Sequence, residues 1–174
     1  MTTIACFKED SKILCLVDNE EKYVPIQSIK AGDLVKTYIH GYKLVELVGT
    51  NTINNSGSER VKDKLYKYTK NNYPEITEDL VVTGGHSILV DKLTKNQKEK
   101  TKKYWDICHK TDDKYRLLSV VNTKATPYEI EGEFNIYHIA LESDELINFG
   151  IYANGLLVES CFKEFLKLTM KIKE

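Results

Sequence analysis

The sequence predicts an all-β chain of sandwich or barrel-like type, built from many short strands. Three observations predict it. Apolar runs of strand length recur along all 174 residues. No apolar period of 3.6 residues is sustained, and strand-like runs do not alternate with helical ones as βαβ units require. No internal repeat of the kind that builds solenoids is present.

Taken in order, Lys12 to Val17 is apolar and ends in the turn-prone patch DNEE. Tyr23 to Ile26 then resumes, which makes a first hairpin. Ala31-Gly32-Asp33 turns the chain into a strand over Leu34 to Tyr38, and Leu44 to Val48 forms the next. Thr50 to Arg60 is polar and rich in turn formers, so it is expected to be a loop. Leu80 to Val82 and Ile88 to Val90 are strands flanking TGGHS, and Tyr115 to Val121 and Tyr137 to Leu141 follow. Asn154-Gly155 is a strong hairpin dipeptide between Ile151-Tyr152 and Leu156 to Val158. Residues 91–103 hold six lysines and almost nothing apolar, so they are expected to be a solvated, flexible insertion. At the end, Leu166, Leu168, Met170 and Ile172 alternate with Lys167, Thr169, Lys171 and Lys173. That period of two predicts a strand or tail over 162–174.

Composition bounds the function. Hydrophobic residues are 41% and charged residues 29%, and the net charge is −1. That balance gives no electrostatic case for nucleic acid or an anionic membrane. No apolar run approaches the roughly 18 residues that a membrane span needs. MTTIACFKED lacks the apolar core of a signal peptide, so an intracellular, cytoplasmic location is expected. The four cysteines, at 6, 15, 108 and 161, have no C-x-x-C spacing. Free thiols are therefore expected, with no metal and no cofactor. Cys15, inside ILCLV, reads as a small buried hydrophobe. A single domain over 1–174, acting as a monomer, is the expected organisation.

Three separated segments carry a resemblance. CFKEDSKILC followed by PIQSIKAGDLVKT is similar to a nucleophilic Cys, a strand and an I-x-x-I-x-x-G-D-x-V hairpin. TGGHSILV resembles a T-x-x-H block. IYHIALES followed by NFGIYANGLLVESC resembles closing blocks that usually read Y-D-L-x-V and then A-N-G-x-x-V-H-N-C. In this order the three blocks, spanning Cys6 to Cys161, resemble the Hint family, the self-processing domains of inteins and hedgehog proteins. The resemblance implies a horseshoe-like fold of short strands and an autocatalytic reaction on the chain's own backbone, one turnover per molecule.

The residues suit such chemistry. A thiol at Cys6 can attack the carbonyl of Ala5 if the oxyanion is stabilised and the departing nitrogen is protonated. The product is a thioester in place of the Ala5–Cys6 amide, an N–S acyl shift. His86 titrates near neutral pH and could protonate that nitrogen. Thr83 could polarise the scissile amide, and Gly84 and Gly85 let the chain turn tightly toward the nucleophile. Without the flanking blocks, Thr83 and His86 would read as a turn with a surface histidine. His138 stands where the resemblance puts an Asp that assists thiol activation. An outward-facing strand residue is the equal alternative.

The closing block departs from the splicing pattern. Splicing needs an Asn whose side-chain amide cyclises on its own carbonyl, and Ser160 has no such nitrogen. Glu159 replaces the usual assisting His. Cys161 matches the acceptor nucleophile of inteins and equally the Cys of the hedgehog L-A-S-C ending, while a small buried residue is the plain alternative. The expectation is thioester formation at Cys6, then release of a covalently attached upstream polypeptide to water or a small nucleophile, with an attached downstream polypeptide left open. An inactive Hint-fold module, and splicing by a non-standard step through Cys161, remain open at this point.

Overall fold

The computed structural model describes residues 5–174. Most of the MTTIA stretch ahead of Cys6 therefore lies outside the described residues. Strand β1 (Phe7–Lys8) is followed by the hairpin β2 (Lys12–Val17) and β3 (Glu20–Pro25), then β4 (Leu34–Lys36) and the long β5 (Tyr42–Asn55). Next come β6 (Leu65–Tyr68), β7 (Leu80–Thr83), β8 (Ser87–Val90), helix α1 (Lys95–Thr101), β9 (Lys110–Thr111) and β10 (Lys114–Leu118). The chain ends with β11 (Thr126–Pro127), β12 (Gly132–Leu141), β13 (Gly150–Ala153), β14 (Leu156–Glu159), helix α2 (Lys163–Thr169) and β15 (Lys171–Ile172). The chain is mostly β, as its alternation predicts, and the strands join one antiparallel sheet that runs from β11 to β9.

Turn chemistry sets the registers. Val17 pairs with Glu20 across Asp18-Asn19, and Ala153 pairs with Leu156 across Asn154-Gly155. All four turn residues have positive φ, the mirror-image turn that matches strand twist. Asp112-Asp113 does the same between β9 and β10, where the sequence carries no glycine to announce it.

Three segments differ from the sequence expectation. Thr50 to Asn55 is strand, not loop. Its backbone pairs residue for residue with β12, from Tyr137 opposite Thr50 to Gly132 opposite Asn55, and β-branched Thr50, Thr52 and Ile53 suit that ladder. The lysine-rich insertion contains α1, because Thr94 and Gln97 form a capping box that nucleates a helix even in a charged segment. Residues 163–169 form helix α2, and β15 is a two-residue strand. The overlooked signal is a helical stripe: Phe162, Phe165, Leu166 and Met170 lie three or four apart. Leu166 and Met170 are buried by it, while Leu168, which the period-two reading placed inward, is 86% exposed.

Two apolar clusters result. The larger draws on β1, β2, β4 to β8, β10 and β12 to β14. The smaller gathers Cys6, Leu65, Ile136, Ala140, Cys161, Leu166 and Met170, so both candidate nucleophilic cysteines are packed in one place. No helix among the described residues is long and apolar enough to cross a membrane.

Candidate active site

The sheet itself places Cys6. Phe7 lies between Val82 of β7 and Tyr137 of β12. One step back along those antiparallel ladders, Cys6 falls between Thr83 and His138. The hydrogen bonds follow that register. The Cys6 N–H, which belongs to the Ala5–Cys6 amide, donates to Thr83 Oγ1 at 2.9 Å, and the Thr83 N–H donates to the Cys6 carbonyl at 3.0 Å.

TGGH is a tight turn, closed by the His86 N–H on the Thr83 carbonyl at 3.0 Å. Gly84 is needed there because a Cβ would lie 2.6 Å from the Lys62 carbonyl oxygen and 2.9 Å from the Tyr66 ring. The close approach that requires a glycine is thus to a neighbouring backbone, while Gly85 faces the cleft described below. The His86 carbonyl accepts from the Ser119 N–H and hydroxyl at 2.9 and 2.7 Å, which fixes the turn.

His86 is fully buried, so it is not a surface histidine. Its ring packs 4.4 Å from Phe7 and 5.1 Å from His138, centroid to centroid. Neither ring nitrogen has a hydrogen-bond partner among the described residues. Burial, reinforced by the neighbouring His138, pushes its pKa well below the usual histidine range. His138 also faces inward. Its Nδ1 accepts the Ile139 N–H at 3.1 Å, and burial pushes its pKa down to about 3. Both imidazoles are therefore neutral at pH 7.

Cys6 is wholly buried, and burial followed by the nearby Cys161 pushes its thiol pKa well up. Its Sγ donates to Met170 Sδ at 3.7 Å. Cys161 joins the same site through its N–H, which donates to the Ile139 carbonyl at 2.9 Å and bridges Ala140 in parallel fashion. Burial and the Glu159 carboxylate push the Cys161 thiol up to about 12. The thiols are protonated at rest.

The residues that depart from the splicing pattern are tied into the fold. Glu159 accepts from Ser87 Oγ at 2.8 Å, Thr111 Oγ1 at 3.3 Å and Asn148 Nδ2 at 3.1 Å. It also pairs with Arg116 Nε at 2.9 Å. Ser160 Oγ accepts the Phe149 N–H at 2.9 Å. Asn154 is a structural turn residue: its Oδ1 accepts the Lys12 N–H at 2.8 Å, and its Nδ2 donates to the Asp79 carbonyl at 3.0 Å.

A cleft of about 290 Å³ opens onto this site, lined among others by Ala5, His138, Cys161, Glu159, His109 and Trp105. It reaches the acyl side of the Ala5–Cys6 bond. All five candidate site residues lie in or against this one region. Sequence reasoning did not single out Arg116, Asn148 or Met170. Arg116 alone left a trace, as a charge inside the apolar run Tyr115 to Val121.

By sequence, no family model and no curated protein matches the chain. By structure, it is similar to a bacterial intein-like domain from Clostridium thermocellum, with a TM-score of 0.50 over 90% of this chain and 99% of that one, at 15% identity. The chain has the Hint fold. Two inteins are also similar. The gp41-1 intein gives a TM-score of 0.44 at 18% identity, over 89% of this chain and 98% of that one. The DnaB intein from Synechocystis gives 0.49 at 13%, over 91% and 100%. The Hint fold explains why the three blocks are far apart in sequence and adjacent in space. β1, β7 and β12 are consecutive in the sheet, and β8 pairs with β14.

Proposed function

We propose that this chain is a self-processing Hint domain that cuts or transfers its own N-terminal polypeptide at Ala5–Cys6. The observation that carries the reading is the Thr83 hydroxyl on the scissile N–H at 2.9 Å, beside a buried imidazole whose two nitrogens have no partner among the described residues. An N–H that donates to an oxygen leaves more electron density on nitrogen, which helps that nitrogen become the tetrahedral leaving group. A neutral imidazole carries one N–H and one lone pair. It can accept a proton at one nitrogen and deliver one from the other.

The step balances without an external reagent. Cys6 Sγ bonds to the Ala5 carbonyl carbon, the C–N bond breaks, and the thiol proton ends on the Cys6 nitrogen as an amine. His86 moves that proton, and His138 supports the thiol side. Water or a small nucleophile entering through the cleft then takes the acyl group, and Cys6 regains its thiol. Cys161, packed in the same apolar cluster as Cys6, is the alternative acceptor. Asn cyclisation is not part of this reading, because Ser160, ahead of Cys161, has no side-chain amide to attack with.

The test is a folded reporter domain fused upstream of Ala5, incubated at pH 7 with and without hydroxylamine. Cleavage at Ala5–Cys6 is expected, abolished by Cys6→Ala and slowed roughly 10²–10⁴-fold by His86→Ala. A fusion that stays intact for days with hydroxylamine present refutes the reading. A branched product lost in Cys161→Ala would identify Cys161 as the acceptor.

A further inference from the structure

Helix α2 and β15 return to the nucleophile, and the fold is cut to receive them. A Cβ at Gly49 would lie 2.9 Å from both Leu166 Cδ1 and Met170 Sδ. Gly49 stands opposite His138 in β12 and opposite Ile172 in β15. The Lys173 N–H donates to the Val48 carbonyl at 2.8 Å, and its ammonium reaches the carbonyls of Gln27 and Ile29. Lys163 pairs with Glu46 at 3.0 Å. An arm docked at so many points sets Met170 Sδ against Cys6 Sγ at 3.7 Å.

We propose that Met170 is a positioning residue that holds the Cys6 S–H away from its proton acceptor, so that the docked arm restrains the nucleophile. A thioether accepts a weak hydrogen bond but has no basicity to take the proton. While the S–H is directed at Met170, it is not directed at the imidazole pair. The thiol must turn before it can lose its proton, and the arm sets the cost of that turn. Cys161, His86, His138 and the Glu159 carboxylate also face this site. None of them changes when Met170 does.

This inference rests on the proposed reaction at Cys6, but one arm of its test does not. The first arm is the fusion assay with Met170→Leu, which keeps the volume and removes the acceptor. Cleavage is expected to be three- to tenfold faster than in the parent. The second arm needs no cleavage: the pH dependence of iodoacetamide alkylation of the Cys6 peptide, read by mass spectrometry. Removing the acceptor destabilises the protonated thiol, so the alkylation midpoint is expected to move down by half a pH unit or more. Met1 and Met170 are the chain's two methionines. Global replacement by norleucine, which puts CH₂ where the sulfur was, is expected to reproduce both effects, while selenomethionine restores parental behaviour. If Met170→Leu does not fold, the norleucine protein decides. A folded norleucine protein whose alkylation midpoint and cleavage rate match the parent, or whose cleavage is slower, overturns the proposal. If the parent never cleaves, the reaction reading fails while the alkylation arm still judges Met170.

Discussion

Lowering the pH from 7 to 5 is expected to strip about 4 kcal/mol from the folded state. The cause is two histidines, His86 and His138, buried together with their rings 5.1 Å apart. Both fold with pKa values below the ordinary 6.5, His86 well below and His138 at about 3. The sign follows from which state binds protons. Above pH 6.5 both states hold neutral imidazoles and nothing is lost. Between 6.5 and the depressed folded values, the unfolded chain takes up protons that the folded one refuses, so stability falls with pH. At pH 5 the unfolded histidine is 1.5 units below its pKa, and at 1.36 kcal/mol per unit each site forfeits about 2 kcal/mol. His109, whose pKa is lowered by burial and by Arg116, adds in the same direction.

Urea unfolding followed through Trp105, the single tryptophan, measures this loss. With a slope of about 2 kcal/mol per molar, the midpoint should fall by about 2 M between pH 7 and pH 5. His138→Gln should roughly halve that fall. A midpoint that shifts by less than about 0.5 M, or rises, would refute the claim that both imidazoles are buried and neutral. It would also remove the neutral proton carrier on which the proposed reaction depends.

Two substitutions probe the site separately. Thr83→Val keeps the shape but leaves the buried Cys6 N–H unpaired. That should cost about 1–3 kcal/mol in calorimetry and slow the fusion cleavage about tenfold or more, with Thr83→Ser restoring both. Equal cleavage rates in Thr83→Val and the parent would remove Thr83 from the reaction. Arg116→Leu strands the Glu159 carboxylate, which should cost about 3–5 kcal/mol and lower the melting temperature by roughly 6–20 °C. An unchanged melting temperature would mean that Ser87, Thr111 and Asn148 satisfy Glu159 without the guanidinium.

Legibility in the sequence varied with the range of the physics. Turns are local, so the Asn154-Gly155 hairpin and the DNEE turn were readable from side-chain preference for positive φ. TGGH was readable as a tight turn, but the burial of His86 was not, because its cover comes from Phe7, His138 and Ser119 on other strands. Thr50 to Asn55 looked like a loop because polar residues carry no burial signal. It is a strand because β12 supplies the backbone partners. The alternation that begins at Leu166 overlaps the helical stripe of Phe162, Phe165, Leu166 and Met170, and packing of Leu166 and Met170 over Gly49 goes with the helix.

The sequence by itself determined the class of fold, the order of the three blocks and the residue types able to form a thioester. It also determined that Ser160, which has no side-chain amide, precedes Cys161. Those properties are chemical identities and short-range preferences, carried by each residue wherever it lies. The tertiary structure decided that Cys6 lies between Thr83 and His138, that both imidazoles are neutral, and that Met170 covers the thiol. Each of those depends on burial and on register between strands far apart in the chain, and neither exists until the sheet has closed.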